Sequence, residues 1–250
     1  MFKVKAAVVD FLGDKEKYPC HHQHRLGDEF IFDGASFHGT ICPSLAITVV
    51  PRMMELHSAG PRYRDYLYYY PFLYAPVSLE DPDLKKYDGL GFRNVLQTYA
   101  ESKYHMANLV GTEAFKWPPL TERTAFKDIH IICPDYRTAV VMKLEAYDLS
   151  DKGRNIPYFR RQMLILDKVW KKPGVDAEKI IGEFSKEQIE GIYPALSPIM
   201  VMALREELEL MGYLELRDGK TFITAKGKAK LNSFKKGLSG EERAALQIEI

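Results

Sequence analysis

The chain opens on an alternation in which Phe2, Val4, Ala6 and Val8 share one face, and this predicts a strand over 2–11. A polar stretch follows from Gly13 to Arg25. The pair Gly27-Asp28 signals a turn, and Glu29-Phe30-Ile31-Phe32 reads as a short second strand. Gly34 and Gly39 bracket a loop that delivers Cys42. There Cys42-Pro43-Ser44 has the form of a helix start, with Pro43 in the first turn, where its missing N–H costs nothing. Leu45, Val49, Met53 and Leu56 keep helical spacing as far as Gly60, while Pro51 predicts a kink or a break.

Periodicity weakens over 61–128. That stretch holds a tyrosine cluster (Tyr63, Tyr66, Tyr68, Tyr69, Tyr70, Tyr74) punctuated by Pro71 and Pro76. An amphipathic helix is predicted over 92–110, then a loop at Trp117-Pro118-Pro119. Residues 129–133 and 138–147 read as two strands around a Pro134-Asp135 turn. A connecting helix over 154–170 leads to the linker Lys171-Lys172-Pro173-Gly174, then to helices at 178–193 and 197–211 and a hairpin turned at Asp218-Gly219. These elements predict an α+β chain with a small mixed or antiparallel sheet. Residues 1–150 form one domain with a Tyr-rich insert at 61–128, residues 151–172 connect, and residues 173–250 form a second domain.

Composition changes this picture little. The 250 residues are 46% hydrophobic and 28% charged, ordinary for a globular chain with a sizeable core. A net charge of +1 gives no global pull toward nucleic acid or anionic membrane. No apolar run approaches the roughly 20 residues that span a bilayer, and no signal-peptide core opens the chain, so a cytoplasmic location is expected. Three cysteines in that compartment do not suggest a disulfide framework.

The cysteines carry the chemistry. Cys20-x-x-x-His24 puts a thiol and an imidazole four positions apart in a loop. Cys42 sits at a predicted helix N-terminus, where the dipole favours thiolate, and Cys133 ends a strand before Pro-Asp. All three lie beside turns rather than in apolar stripes. Cys20, His24, Cys42 and Cys133 are therefore expected to bind one metal centre. Three thiolates and an imidazole suit tetrahedral Zn²⁺, which is favoured, and a [4Fe–4S] cluster held by the three cysteines is the alternative. His21 and His22 read as solvated loop residues. Asp28 is either an acceptor behind a ligand N–H or a turn-capping residue.

Three segments resemble a small uncharacterised prokaryotic family with Cys-x-x-x-His-Lys-x-Gly-Asp, Cys-Pro and Cys-Pro-Asp motifs. Cys20, His24, Gly27 and Asp28 match the first, with Arg25 in place of Lys. Cys42, Pro43, Pro51 and Gly60 match the second, and Cys133, Pro134 and Asp135 the third. The resemblance covers residues 2–60 and 129–148; the insert at 61–128 is longer than the family's connection, and everything after 150 is additional. It implies a metal site and names no reaction.

Residues 184–236 resemble a winged-helix domain: a short helix in FSKEQIEGIYPA, a long helix through 197–211, and a wing with its return in RDGKTFITAKGKAKL. Lys226, Lys228 and Lys230 would give that wing a local basic stripe. Between 171 and 250, however, thirteen basic side chains face thirteen acidic ones, and the long helix carries Glu206, Glu207 and Glu209. DNA is thus a poor partner, and a contact with a second copy is expected instead. The expectation is a metalloenzyme acting on a small molecule, with the insert capping its site and the winged-helix-like domain supporting a dimer. The alternative is a non-enzymatic metal- or redox-responsive regulator that uses the winged helix for DNA or protein contacts.

Overall fold

The computed structural model describes residues 1–13, 15–63, 129–135 and 138–248. The tyrosine cluster from Tyr66 to Tyr74, the helix expected over 92–110 and the capping of the site by the insert lie outside them. Strand β1 (Phe2–Gly13) buries Phe2, Val4, Ala6 and Val8 as its alternation requires. It pairs antiparallel with β2 (Glu29–Phe32) on one side and with β5 (Thr138–Leu149) on the other. With β3 (Phe37–His38) and β4 (Ile129–Ile132) at the edges, the order is β3-β2-β1-β5-β4, antiparallel at every pairing.

Helix α1 (Pro43–Ala59) lays Leu45, Val49, Met53 and Leu56 on this sheet, against β1, β4 and β5. It does not break at Pro51. The proline is exposed and so is Ile47, whose carbonyl loses its partner to the ring, so water can satisfy that oxygen without interrupting the helix. Gly60 ends α1 at φ 61°, and a Cβ there would stand 2.3 Å from the Phe2 ring, so both conformation and space call for glycine.

A buried polar chain closes the end of the sheet beyond α1. His57 Nδ1 lies 2.5 Å from the Phe2 carbonyl, and its Nε2 lies 3.3 Å from the Asn155 amide. Asn155 donates to Ser150 Oγ (2.9 Å), which donates to the Asp33 carbonyl (2.6 Å). Burial pushes the His57 pKa down, so the ring is neutral, donating from Nδ1 and accepting at Nε2.

The second core gathers around α2 (Ile156–Lys171), which does more than connect. From Arg161 to Asp167 every side chain is buried, the signature of a helix packed on all sides. Arg161 donates to the carbonyls of Gln188, Ile189, Ile192 and Pro194, which fixes the loop between α3 (Lys186–Glu190) and α4 (Pro198–Leu210). The expected linker is also folded in. Gly174 N–H bonds the Thr221 carbonyl, and β6 (Val175–Asp176) joins β8 (Lys220–Ile223) and β7 (Leu214–Arg217) in the order β6-β8-β7. Asp218 and Gly219 both have positive φ, at 50° and 74°, as a two-residue hairpin turn demands.

The lysines expected on a wing lie instead on α5 (Ala225–Gly237), which precedes α6 (Gly240–Leu246). Thr224 caps α5 by accepting from Gly227 N–H, so the chain turns helical directly after β8. Two of the three stripe lysines are spent internally: Lys226 bonds the Met211 carbonyl and Lys230 pairs with Asp148 at 2.6 Å. Lys235, further along α5, pairs with buried Asp167 at 2.7 Å.

Asp148 links the two cores, because it also accepts from Tyr213 Oη at 2.5 Å. Burial alone would raise its pKa, but Lys230 and Tyr213 outweigh that and hold the carboxyl below its ordinary value. A depressed folded pKa stabilises the protein above the unfolded carboxyl's pKa, and the contribution is lost as pH falls through the folded value. Asp148→Asn is therefore expected to cost about 2 kcal/mol at neutral pH, as loss of charge-assisted hydrogen bonds does. In urea unfolding the difference from wild type should shrink below about pH 4; a difference independent of pH would contradict this role.

Candidate metal centre

The site is built at one end of the large sheet by three segments. The first is the loop after β1, which is fixed at both ends. Thr138 Oγ1 on β5 donates to the Tyr18 carbonyl at 2.5 Å. At the far end Gly27 N–H donates to the Val8 carbonyl and Val8 N–H to the Asp28 carbonyl, where the β1–β5 register shifts between Val8 and Asp10. Gly27 adopts φ 86°, which an L side chain rarely tolerates, and this lets the loop rejoin the strand. Cys20 and His24 hang between these anchors.

The second segment is the start of α1. Cys42 occupies the N-cap position with Pro43 behind it, and no side chain caps the helix. The third is the turn after β4. Cys133 is buried, and its backbone N–H bonds the Val140 carbonyl while its sulfur accepts from Val140 N–H at 3.2 Å. Burial pushes the Cys133 thiol pKa up, against the opposing effect of the Val140 amide. Cys20 and Cys42 are half-buried, and all three thiols are free.

These segments close around one cavity of about 410 Å³. Cys20, His24, Cys42 and Cys133 all line it, joined by Ser44 and Thr138, which sequence reasoning did not single out. Both follow from neighbours it did find, since Ser44 is in the first turn after Cys42 and Thr138 begins the strand after the Cys133 turn. His21 and His22, expected to be solvated, are exposed but also line the cavity, and the His22 ring lies 4.6 Å from that of His24. As the side chains stand, no three His, Cys, Asp or Glu groups among the described residues are close enough to share one ion. Three thiols and an imidazole are donors of the type a soft metal takes; they line one cavity without forming a cluster.

His24 is the most constrained of the four, with its side chain 2% exposed. Its Nε2 accepts from the Cys42 N–H at 3.2 Å, and its Nδ1 lies 3.4 Å from Asp28 Oδ2. An amide N–H can only donate, so the lone pair is on Nε2 and the proton on Nδ1, facing the carboxylate. Burial lowers the His24 pKa more than Asp28 raises it, which favours this neutral form. Asp28 also accepts from Arg25 N–H at 2.9 Å; that bond, before any effect of His24, holds its carboxyl below the ordinary value. Asp28 thus both caps the turn and stands behind the imidazole.

Comparison with family models, curated proteins and solved structures finds no match. The chemistry of the cavity is therefore argued from its residues. Burial sets Cys133 last in reactivity, both by covering it and by raising its thiol pKa, because the thiolate is the nucleophile. After chelation, iodoacetamide is expected to modify Cys20 and Cys42 ahead of Cys133. Thr138→Val releases the loop at Tyr18 and should speed Cys20 by up to about fivefold, the factor that about 1 kcal/mol allows. Peptide mapping over time checks this, and Cys133 reacting first would contradict the burial described.

Proposed function

We propose that the chain is a metal-centre protein, a metalloenzyme acting on a small molecule at this cavity. One observation carries the reading. The only three cysteines of the sequence come from a loop, a helix start and a strand end, and all three line one cavity together with His24. Inert cysteines have no reason to converge in this way, whereas thiolate ligands do. Cys20, His24, Cys42 and Cys133 would hold the metal, with Zn²⁺ favoured and a [4Fe–4S] cluster on the three cysteines the alternative; closing the site would draw the donors inward, and catalysis at zinc would need His24 to be a labile ligand. The bound group would supply a Lewis acid beside Ser44 and Thr138. The family resemblance of the three motifs supports the same assignment.

The C-terminal part would serve as a winged-helix-like support that contacts a second copy. The run α2, β6, α3, α4, β7 and β8 supports that reading, and the surface of α4 disfavours DNA. Its exposed Ile199 and Met202 offer nothing to phosphates, and Glu206 and Glu209, paired with Arg62 and Arg205, neutralise the nearby positive charge. No helix among the described residues is long and apolar enough to cross a membrane.

Anaerobic purification followed by metal and sulfide analysis with an absorption spectrum tests the assignment. One metal centre per chain is expected, with sulfide only if a cluster is present. Single Cys→Ser changes at 20, 42 or 133 should lower metal content and thermal stability together, since binding free energy at such sites is folding free energy. A triple Cys→Ala variant as metal-loaded and as stable as wild type would sink the reading.

A further inference from the structure

We infer that His57 and Asn155 form an acid-released latch between the two cores: the neutral imidazole completes a run of hydrogen bonds, and a proton added to it breaks the contact that ties the end of α1 to the start of α2. The latch is independent of the metal reading, since it lies at the Phe2 end of the β1–β5 ladder and the cavity lies at the Thr138 end. The bond directions are forced from both ends, because each end is a main-chain carbonyl and a carbonyl only accepts. The Asp33 carbonyl takes the Ser150 hydroxyl proton, so the Ser150 oxygen has to accept, and the Asn155 atom facing it is the amide nitrogen. The second proton of that nitrogen points to His57 Nε2, which must carry the lone pair. The proton on Nδ1 is left for the Phe2 carbonyl. Four protons thus make four bonds, and His57, Asn155 and Ser150 are all buried.

A further proton has no place in this run. Protonated Nε2 becomes a donor facing the donor of Asn155. Turning the amide over would offer its oxygen to His57 but take the N–H away from Ser150, so one bond is lost even then. Packing leaves little room for another arrangement. A Cβ on Gly34 would overlap Ser150 Oγ and stand 2.6 Å from Asn155 Nδ2, so the turn after β2 lies directly against the pair. The Phe32 ring meets the imidazole edge-on, with centroids 4.9 Å apart.

The charged groups on the packed elements do not supply the missing acceptor. Glu207 on α4 favours a proton on His57 and the Met1 amine opposes it, but these two pair with each other at 2.7 Å. Arg62, after α1, pairs with Glu206 and Glu207; Asp33 pairs with His38 and Asp151 with Lys3. Burial is the largest effect and holds the His57 pKa below its ordinary value. A base depressed in the folded state stabilises the fold above the unfolded value of about 6.5, and that contribution is lost as pH falls from there through the folded value.

Backbone hydrogen exchange of the full chain, compared at about pH 7.5 and about pH 5 after correction for the intrinsic rate, reads the latch. Amides at the end of α1 and the start of α2 should open about fivefold more in acid, the factor that loss of one hydrogen bond gives. His57→Gln carries a donor and an acceptor in place of the two ring nitrogens and takes up no proton. It should match wild type at neutral pH and lose the acid opening. Asn155→Asp puts a carboxylate where the donor stood, able to accept from protonated Nε2. The His57 NMR signal, assigned by its absence from His57→Gln, should therefore titrate at higher pH in Asn155→Asp than in wild type, where it titrates below the ordinary histidine value. The inference is overturned if wild-type opening at these amides does not change with pH, or if His57→Gln keeps the acid opening. It is equally overturned if wild-type His57 titrates at or above the ordinary value, or if Asn155→Asp leaves that titration unmoved.

Discussion

The antiparallel ladder between β1 and β5 is the constraint from which the rest of the structure follows. It runs from Phe2 opposite Leu149 to Gly13 opposite Thr138, joining segments that the sequence separates by more than a hundred positions. At its Phe2 end it enters the core around α2, and along Val4, Ala6 and Val8 it floors the core beneath α1. Its Thr138 end carries the cavity. The partner strand β4 sets Cys133 beside Val140, Thr138 grips the loop that bears Cys20, and the irregularity near Val8 is where that loop returns. Cys42 alone arrives by another route, through α1, and it is tied back by His24.

Much of this was legible because local and tertiary requirements agree. Alternation in β1, the helical spacing of Leu45, Val49, Met53 and Leu56, the two paired strands on either side of Pro134-Asp135 and the Asp218-Gly219 hairpin all resolve into the elements their patterns predict. Pro51 is the instructive exception. A proline need not break a helix where the carbonyl it orphans can meet water, and here both Pro51 and Ile47 are exposed. Exposure of that kind is a property of the assembled fold, which local pattern does not carry. The same holds for the stretch from Ile156 to Gly174. Lys168, Lys171 and Lys172 make it look solvated, yet the core gathers around its middle, where Arg161 and Asp167 are buried with internal partners.

At the candidate site the residue types were legible and their mutual arrangement was not. Cysteines beside turns are visible in the sequence, but that Cys42 and His24 meet through a backbone amide depends on the sheet bringing two distant loops together. Sequence spacing also treats His24 as equivalent to the cysteines. In the structure all four line one cavity, and His24 is also held by the chain on both ring nitrogens, as the Cys133 sulfur is by the Val140 N–H. Likewise the lysines after β8 read as a stripe of charge, and only the fold shows Lys226 bonded to the Met211 carbonyl and Lys230 paired with Asp148.

Arg161 has a consequence of a different kind. Its acceptors on Gln188, Ile189, Ile192 and Pro194 are all main-chain oxygens. A guanidinium used this way recognises the path of a loop and is indifferent to the side chains along it; a lysine, with a single point of charge, could not span four carbonyls. The outward-facing positions on that stretch, Tyr193 foremost at 74% exposure, are thereby released from any duty in holding the loop's shape. Substitution can alter the chemistry this surface presents while the backbone beneath keeps its course. The scaffold and the surface it displays are thus specified by separate sets of residues.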